Sequence, residues 1–185
     1  MSFGFKFQRL NIYAFSLNST LIIGFQCLFF FENYLLETSQ HFYEAYKEAR
    51  TRLEATLNLI QKEDLSKKLH PSPNSIGFLM RHIADVELLF AKNVFKASEI
   101  QVRAKTLIDQ KDTGEWSDLN ELTDYLKISS QSILTAISNQ KGDNWGDKVT
   151  TKEFGTKSKS EAFGRIISHT AYHAGQIALI KKYGS

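Results

Sequence analysis

Apolar residues recur at intervals of three and four along most of the chain, the spacing that one buried face of an α-helix requires. The first helix is predicted from about Tyr34 to Ile60. Its inward positions are Leu35, Phe42, Tyr46, Ala49, Leu53, Leu57 and Ile60. The opposite positions carry mixed charges, including Arg50, and we interpret them as a face exposed to solvent.

Three later stretches show the same periodicity, and residues that commonly cap helices bound each of them. Asn74 or Ser75 caps the second helix, Ser117 caps the third, and the capping box of residues 158–161 opens the last one. The predicted helices cover about residues 74–95, 117–139 and 158–184, separated by polar segments at 61–74, 96–116 and 140–157 that we expect to be loops. The chain is therefore predicted to be all-α.

The last helix carries His169 and His173, four residues apart. Side chains at this spacing lie on one face of a helix, close enough to share a metal ion. His82, in the second helix, stands among apolar residues at helical spacing, so it is expected to point inward as well. A histidine pair alone is a weak indication, because a buried histidine is more often an ordinary core residue. Thr170 stands where a zinc protease of this pattern needs glutamate, so protease chemistry is not supported.

Two polar residues near these histidines are candidates for supporting roles. Asp85 lies one turn after His82 and could accept a hydrogen bond from a histidine ring, although an ordinary exposed carboxylate is an equal alternative. Gln176 lies three residues after His173 and could contact a substrate or a bound water molecule. No general base can be assigned from the sequence.

Residues 74–87 and 167–177, which contain these histidines, resemble two motifs of the DinB/YfiT-like family of metal-dependent enzymes. The resemblance covers about Glu32 to Gly184. It implies a four-helix bundle with a long crossing loop, and a divalent metal held by His82, His169 and His173. Some members of this family are transferases or isomerases that use low-molecular-weight thiols.

A site with three neutral histidines leaves coordination positions open, whereas structural zinc sites usually have four protein ligands. The first functional hypothesis is therefore a metal-dependent transferase or hydrolase acting on a small molecule, with a low-molecular-weight thiol as one candidate cosubstrate. The alternative is a non-catalytic, stress-linked metal-binding bundle. Zinc and nickel are the favoured metals, although such ligands also suit iron and copper.

Composition adds limits to these hypotheses. The 185 residues suit one domain, and the net charge of +3 comes without a basic run, so nucleic acid is not an expected partner. A single cysteine, Cys27, cannot form an internal disulfide, which favours the reducing cytoplasm. A homodimer is one possible assembly.

Residues 1–31 differ from the rest, because they are rich in phenylalanine and contain no acidic residue. Their apolar run, Leu21 to Phe31, is shorter than the ~18 residues that span a bilayer, and no signal-peptide cleavage site follows it. We expect an N-terminal extension at 1–31 and a bundle domain at 32–185. A membrane-associated or extra packing element is the alternative for the extension.

Overall fold

The computed structural model describes the backbone of residues 19–185 and the side chains of residues 38–185. By its internal contacts the chain divides into two units, Met1–Tyr34 and Leu35–Ser185, and all of the described side chains belong to the second. The side chains of the predicted extension, residues 1–31, lie outside the described residues. In the described part of the chain, no helix combines the length and the apolar character that crossing a membrane needs.

The described residues are mostly helical, which confirms the all-α prediction. The helices are α1 (Ser19–Leu57), α2 (Ile76–Leu89), α3 (Lys105–Asp109), α4 (Leu119–Ser138) and α5 (Lys159–Tyr183). Helix α2 continues directly into a π-helical turn, Phe90–Val94, and 3₁₀ turns occur at Lys62–Asp64 and Gly142–Gly146. A small antiparallel hairpin, β1 (Lys148–Thr151) and β2 (Gly155–Ser158), precedes α5 and pairs Val149 with Lys157.

Capping residues fix the starts of the helices around the histidines. The Ser75 hydroxyl accepts a hydrogen bond from the Phe78 N–H at 3.2 Å, which selects Ser75 over Asn74 as the cap of α2. Ser158 and Glu161 form the predicted capping box at the start of α5. These caps set where α2 and α5 begin, and hence where along each helix the histidines lie.

Several predicted boundaries are wrong. Helix α1 already includes Ser19, well before the predicted start near Tyr34, because the nearly continuous apolar run at 21–31 shows no periodicity that marks a helix. Asp118 caps α4 in place of Ser117, and its carboxylate also complements the positive end of the helix dipole. The predicted loops at 96–116 and 140–157 contain α3 and the hairpin, elements too short for their periodicity to be recognised.

Among the described side chains, the buried apolar residues form two clusters, and α2 contributes to both while packing against α4 and α5. Phe90, Ile133 and Ile166 belong to one cluster, whereas Ile83 and Ile177 belong to the other. Because α2 packs against both α4 and α5, residues on the side of α2 that faces α5 lie close to that helix. His82 is one of them, since its ring contacts that of His169 on α5.

A buried polar network connects the helices within the core. The Glu87 carboxylate, with no exposed area, accepts hydrogen bonds from the Tyr46 hydroxyl at 2.7 Å and the Ser129 hydroxyl at 2.6 Å. Arg50 pairs with the same carboxylate, and the Thr170 hydroxyl approaches it at 3.4 Å. The prediction that Arg50 faces solvent is therefore wrong, because Glu87 supplies the buried countercharge that the sequence pattern does not show.

Candidate metal centre

Helices α2 and α5 bring the three predicted histidines together. The ring centroids are 5.1 Å apart for His82 and His169, 4.9 Å for His82 and His173, and 4.4 Å for His169 and His173. Each residue offers one ring nitrogen within 4.8 Å of the other two. The arrangement follows from the four-residue spacing on α5 and from the packing of α2 against it.

The ring nitrogens lie at a separation that suits a shared ion. The Nε2 atoms of His82 and His169 are 3.2 Å apart. Two histidine nitrogens bound at about 2.0–2.1 Å to one tetrahedral zinc lie about 3.3 Å from each other. This pair therefore needs little movement to hold one divalent ion.

The orientation and tautomer of His82 are set by Thr106, on α3, and by Asp85. The Thr106 hydroxyl donates to an Asp85 carboxylate oxygen at 2.8 Å, which uses its one proton. The same hydroxyl must then accept from the Nδ1–H of His82, 3.2 Å away. That assignment leaves the lone pair of His82 on Nε2, which faces the other histidines.

Asp85 is buried rather than exposed and contacts His82 through Thr106 rather than directly. Besides the hydroxyl, its carboxylate accepts from the Thr106 N–H, the Tyr125 hydroxyl and Arg81 Nε, each at 3.0 Å. Four donors hold the carboxylate in one position. It therefore serves as a rigid acceptor that keeps the proton of the Thr106 hydroxyl turned away from His82.

Gln176 supports His173 in a similar way. Its side-chain oxygen accepts from the Nδ1–H of His173 at 2.6 Å, and its amide group donates to the Tyr172 hydroxyl at 3.1 Å. With Nδ1 protonated, the lone pair of His173 is on Nε2. Gln176 thus contacts a ring of the candidate site.

His169 differs from the other two. Its Nδ1 atom is buried and, among the described residues, has no hydrogen-bond partner. Its Nε2 atom is the one that faces His82. The ring is therefore held by packing and by its histidine neighbours, without a polar group behind it.

The environment keeps all three rings neutral near pH 7. Burial, with a smaller repulsion from His173, lowers the pKa of His82 to about 4. Burial, reinforced by the neighbouring histidines and Arg165, lowers the pKa of His169 to about 3, and burial also lowers the pKa of His173. Neutral imidazole is the form that binds metal, so the residues fit a divalent ion that takes nitrogen ligands.

A cavity of about 340 Å³ lies beside His169, in the groove between α2 and α5. Its lining comprises Val86, Phe90, Glu153, Arg165, Ser168, His169 and Tyr172. Glu153 lies between β1 and β2, so the hairpin contributes to the lining. The cavity gives a small molecule access to the neighbourhood of the histidines.

The supporting residues could not all be found from the sequence. Asp85 and Gln176 were candidates because of their helical spacing from a histidine. Thr106 was missed, since it lies in a segment without periodicity and contacts Asp85 only through the fold. Among the described residues, His41 and His70 are exposed and lie outside the cluster.

Comparison with known proteins agrees with this architecture. A crystal structure described as a conserved protein from Enterococcus faecalis is 18% identical, with a TM-score of 0.56 over 78% of this chain and 95% of that chain, a likeness that shows the fold. No curated protein matches the chain. Residues 45–177, well over half of the sequence, match the sequence model of the DinB superfamily. The chain belongs to the DinB superfamily.

Proposed function

We propose that this protein binds one divalent metal ion on His82, His169 and His173 and acts as a metal-dependent transferase or hydrolase on a small molecule. A low-molecular-weight thiol is the cosubstrate in the transferase case. The observation that carries the proposal is the convergence of three neutral histidine rings. His82 and His173 each form a hydrogen bond through Nδ1, which leaves Nε2 free to bind an ion. Zinc and nickel are the metals we favour.

Each supporting residue has a defined task in this proposal. Thr106 and Asp85 hold His82 in the tautomer that presents Nε2, and Gln176 does the same for His173. Such outer contacts orient metal ligands and raise their basicity. A bound divalent ion would supply Lewis acidity, which lowers the pKa of a water molecule or a thiol that binds to it.

The cavity beside His169 favours a catalytic role over the non-catalytic metal-binding alternative. A binding bundle without catalysis needs no space for a second molecule next to its ligands. Here a cavity of about 340 Å³ reaches one of the three histidines. The cytoplasmic location and the homodimer stay predictions.

The test compares metal-loaded protein with two histidine variants in the conjugation of thiols to an electrophile. We expect the native protein and His41→Ala to accelerate conjugation equally, and His82→Ala to lose the acceleration, because His41 is exposed and outside the cluster. Calorimetry in buffers of different ionisation enthalpy should also detect a proton released when the thiol binds.

A parallel assay with activated esters distinguishes the hydrolase from the thiol transferase. Metal-dependent ester hydrolysis without thiol conjugation would support the hydrolase and reject the thiol. Absence of both activities in fully loaded protein would refute a catalytic role in these two classes.

A further inference from the structure

We propose that the cavity beside His169 recognises a small zwitterion of the α-amino-acid type. Arg165 would receive the carboxylate of this ligand, and Glu153 would receive its ammonium group. The apolar part of the ligand would lie against Val86, Phe90 and Tyr172. Only the idea that its far end reacts beside His169 rests on the proposed function; the binding itself does not.

Two opposite charges lie side by side in the lining of the cavity. Arg165 Nη2 and Glu153 Oε1 are 3.2 Å apart, and both side chains are about half exposed. An ion pair of this kind contributes only about 0–1 kcal/mol, so a ligand can rearrange it at small cost. Arginine has five N–H donors in a planar fork, and this contact uses one of them.

The pairing of these charges discriminates between ligands. A simple anion that approaches Arg165 also meets the negative charge of Glu153, and a simple cation meets the positive charge of Arg165. A molecule with both charges satisfies both side chains at once. The lining therefore favours a zwitterion over either single ion.

The hairpin fixes the charged end of the cavity. Glu153 and Phe154 lie between β1 and β2, and the Arg165 guanidinium lies 5.5 Å from the centre of the Phe154 ring. The centre of the Phe154 ring lies 5.9 Å from that of the Phe90 ring, which also lines the cavity. These contacts help to position the Arg165 guanidinium. Because Arg165 lies one helical turn before His169, a ligand head bound to it can direct its body toward that histidine.

The rest of the lining suits an apolar body of limited size. Val86 and Phe90 are buried core residues that contribute apolar surface to the cavity, whereas Tyr172 is exposed to solvent. The hydroxyl of Ser168 already donates to the Arg165 carbonyl, at 2.9 Å. The cavity volume is about 340 Å³. Because ligand sites usually begin at about 300 Å³ and extend to several times that volume, we infer a single amino-acid-sized molecule.

The experiment titrates the full chain, metal-free and metal-loaded, with L-phenylalanine and two matched probes that each lack one charge. These probes are 3-phenylpropionate, without the amine, and 2-phenylethylamine, without the carboxylate. We expect L-phenylalanine to bind at least about tenfold more tightly than either probe, the ratio that about 1.4 kcal/mol produces. Arg165→Gln and Glu153→Gln should each weaken L-phenylalanine binding by a similar factor.

Lys148→Gln is the matched control, because Lys148 belongs to the same hairpin and forms an exposed ion pair with Glu161 of α5, but does not line the cavity. It should bind L-phenylalanine as the native protein does. Equal binding of 3-phenylpropionate together with a gain in affinity in Glu153→Gln would overturn the proposal in favour of an anion site. Failure of L-phenylalanine to bind in both metal states would overturn it outright.

Metal content measured on the same samples separates this proposal from the metal-centre proposal. Arg165→Gln should keep its metal while losing the amino acid. Protein that binds L-phenylalanine without taking up metal refutes the metal centre and supports the zwitterion site. Protein that takes up metal but does not bind L-phenylalanine supports the metal centre and refutes the zwitterion site.

Discussion

Replacing Thr106 with valine removes one hydroxyl that lies between Asp85 and His82 and keeps the branched shape of the side chain. Two contacts disappear with it: the bond to the Asp85 carboxylate at 2.8 Å and the bond from His82 Nδ1 at 3.2 Å. Asp85 keeps its three other donors, so the fold should persist. His82, by contrast, loses the group that fixes its tautomer.

The expected magnitudes follow from these contacts. A hydrogen bond to a charged group contributes about 1.5–3 kcal/mol, and the remaining donors of Asp85 place the loss toward the lower part of that range. We expect a loss of about 2 kcal/mol in the free energy of unfolding, which lowers Tm by roughly 4–8 °C in a protein of this size. Metal affinity should fall about 10–100-fold, the usual effect of removing a partner that orients a ligand.

Thermal unfolding of metal-free protein measures the first quantity, and competition with a chromophoric chelator measures the second. Thr170→Val is the matched control, since Thr170 is also buried and stands next to His169, but its hydroxyl approaches Glu87 instead of a ring. It should lower stability modestly and leave metal affinity unchanged. An unchanged metal Kd in Thr106→Val, or an equal loss in both variants, would refute this reasoning.

Three further predictions concern stability. Arg50→Met leaves Glu87 buried without its ion pair, whereas Glu54→Gln removes only the exposed partner of Arg50. In denaturant unfolding the first should cost about 3–5 kcal/mol and the second under about 1 kcal/mol; equal losses would contradict the buried network. Metal-free protein should lose stability as the pH falls from about 6.5 to about 5, because the folded pKa values of His82 and His169, about 4 and about 3, make the unfolded chain take up protons first. Each of these histidines should contribute a loss of at most about 2 kcal/mol, and a flat profile in urea unfolding would contradict this. A chain that begins at Glu32 should keep its helical circular dichroism and cooperative unfolding, and an insoluble or molten product would place residues 1–31 in the core.

The sequence predicts the helices well wherever one face is apolar and the other is polar. Helices α2, α4 and α5 follow from that periodicity, and the caps Ser75 and Ser158 refine the starts of α2 and α5. The same periodicity turns His169 and His173 to one side of α5. Helical spacing also turns His82 inward, and the motif resemblance supports it as the third ligand. Its approach to the pair, from 87 positions before His169, depends on how α2 packs.

Contacts between distant segments could not be predicted in this way. Thr106 reaches Asp85 only because α3 folds back onto α2, and no local pattern marks that contact. Arg50 and Glu87 look like ordinary surface charges in sequence, yet each is buried because the other compensates its charge. Pairing of this kind is a property of the packed helices, and it became visible only in the structure.

The central claim, a divalent metal ion on His82, His169 and His173, is tested most directly by the metal content of protein purified without a histidine tag. Elemental analysis by mass spectrometry should find one divalent ion per chain in the native protein and in His41→Ala, and a sharply lower content in His169→Ala. Equal metal content in the His41→Ala and His169→Ala proteins would contradict the claim.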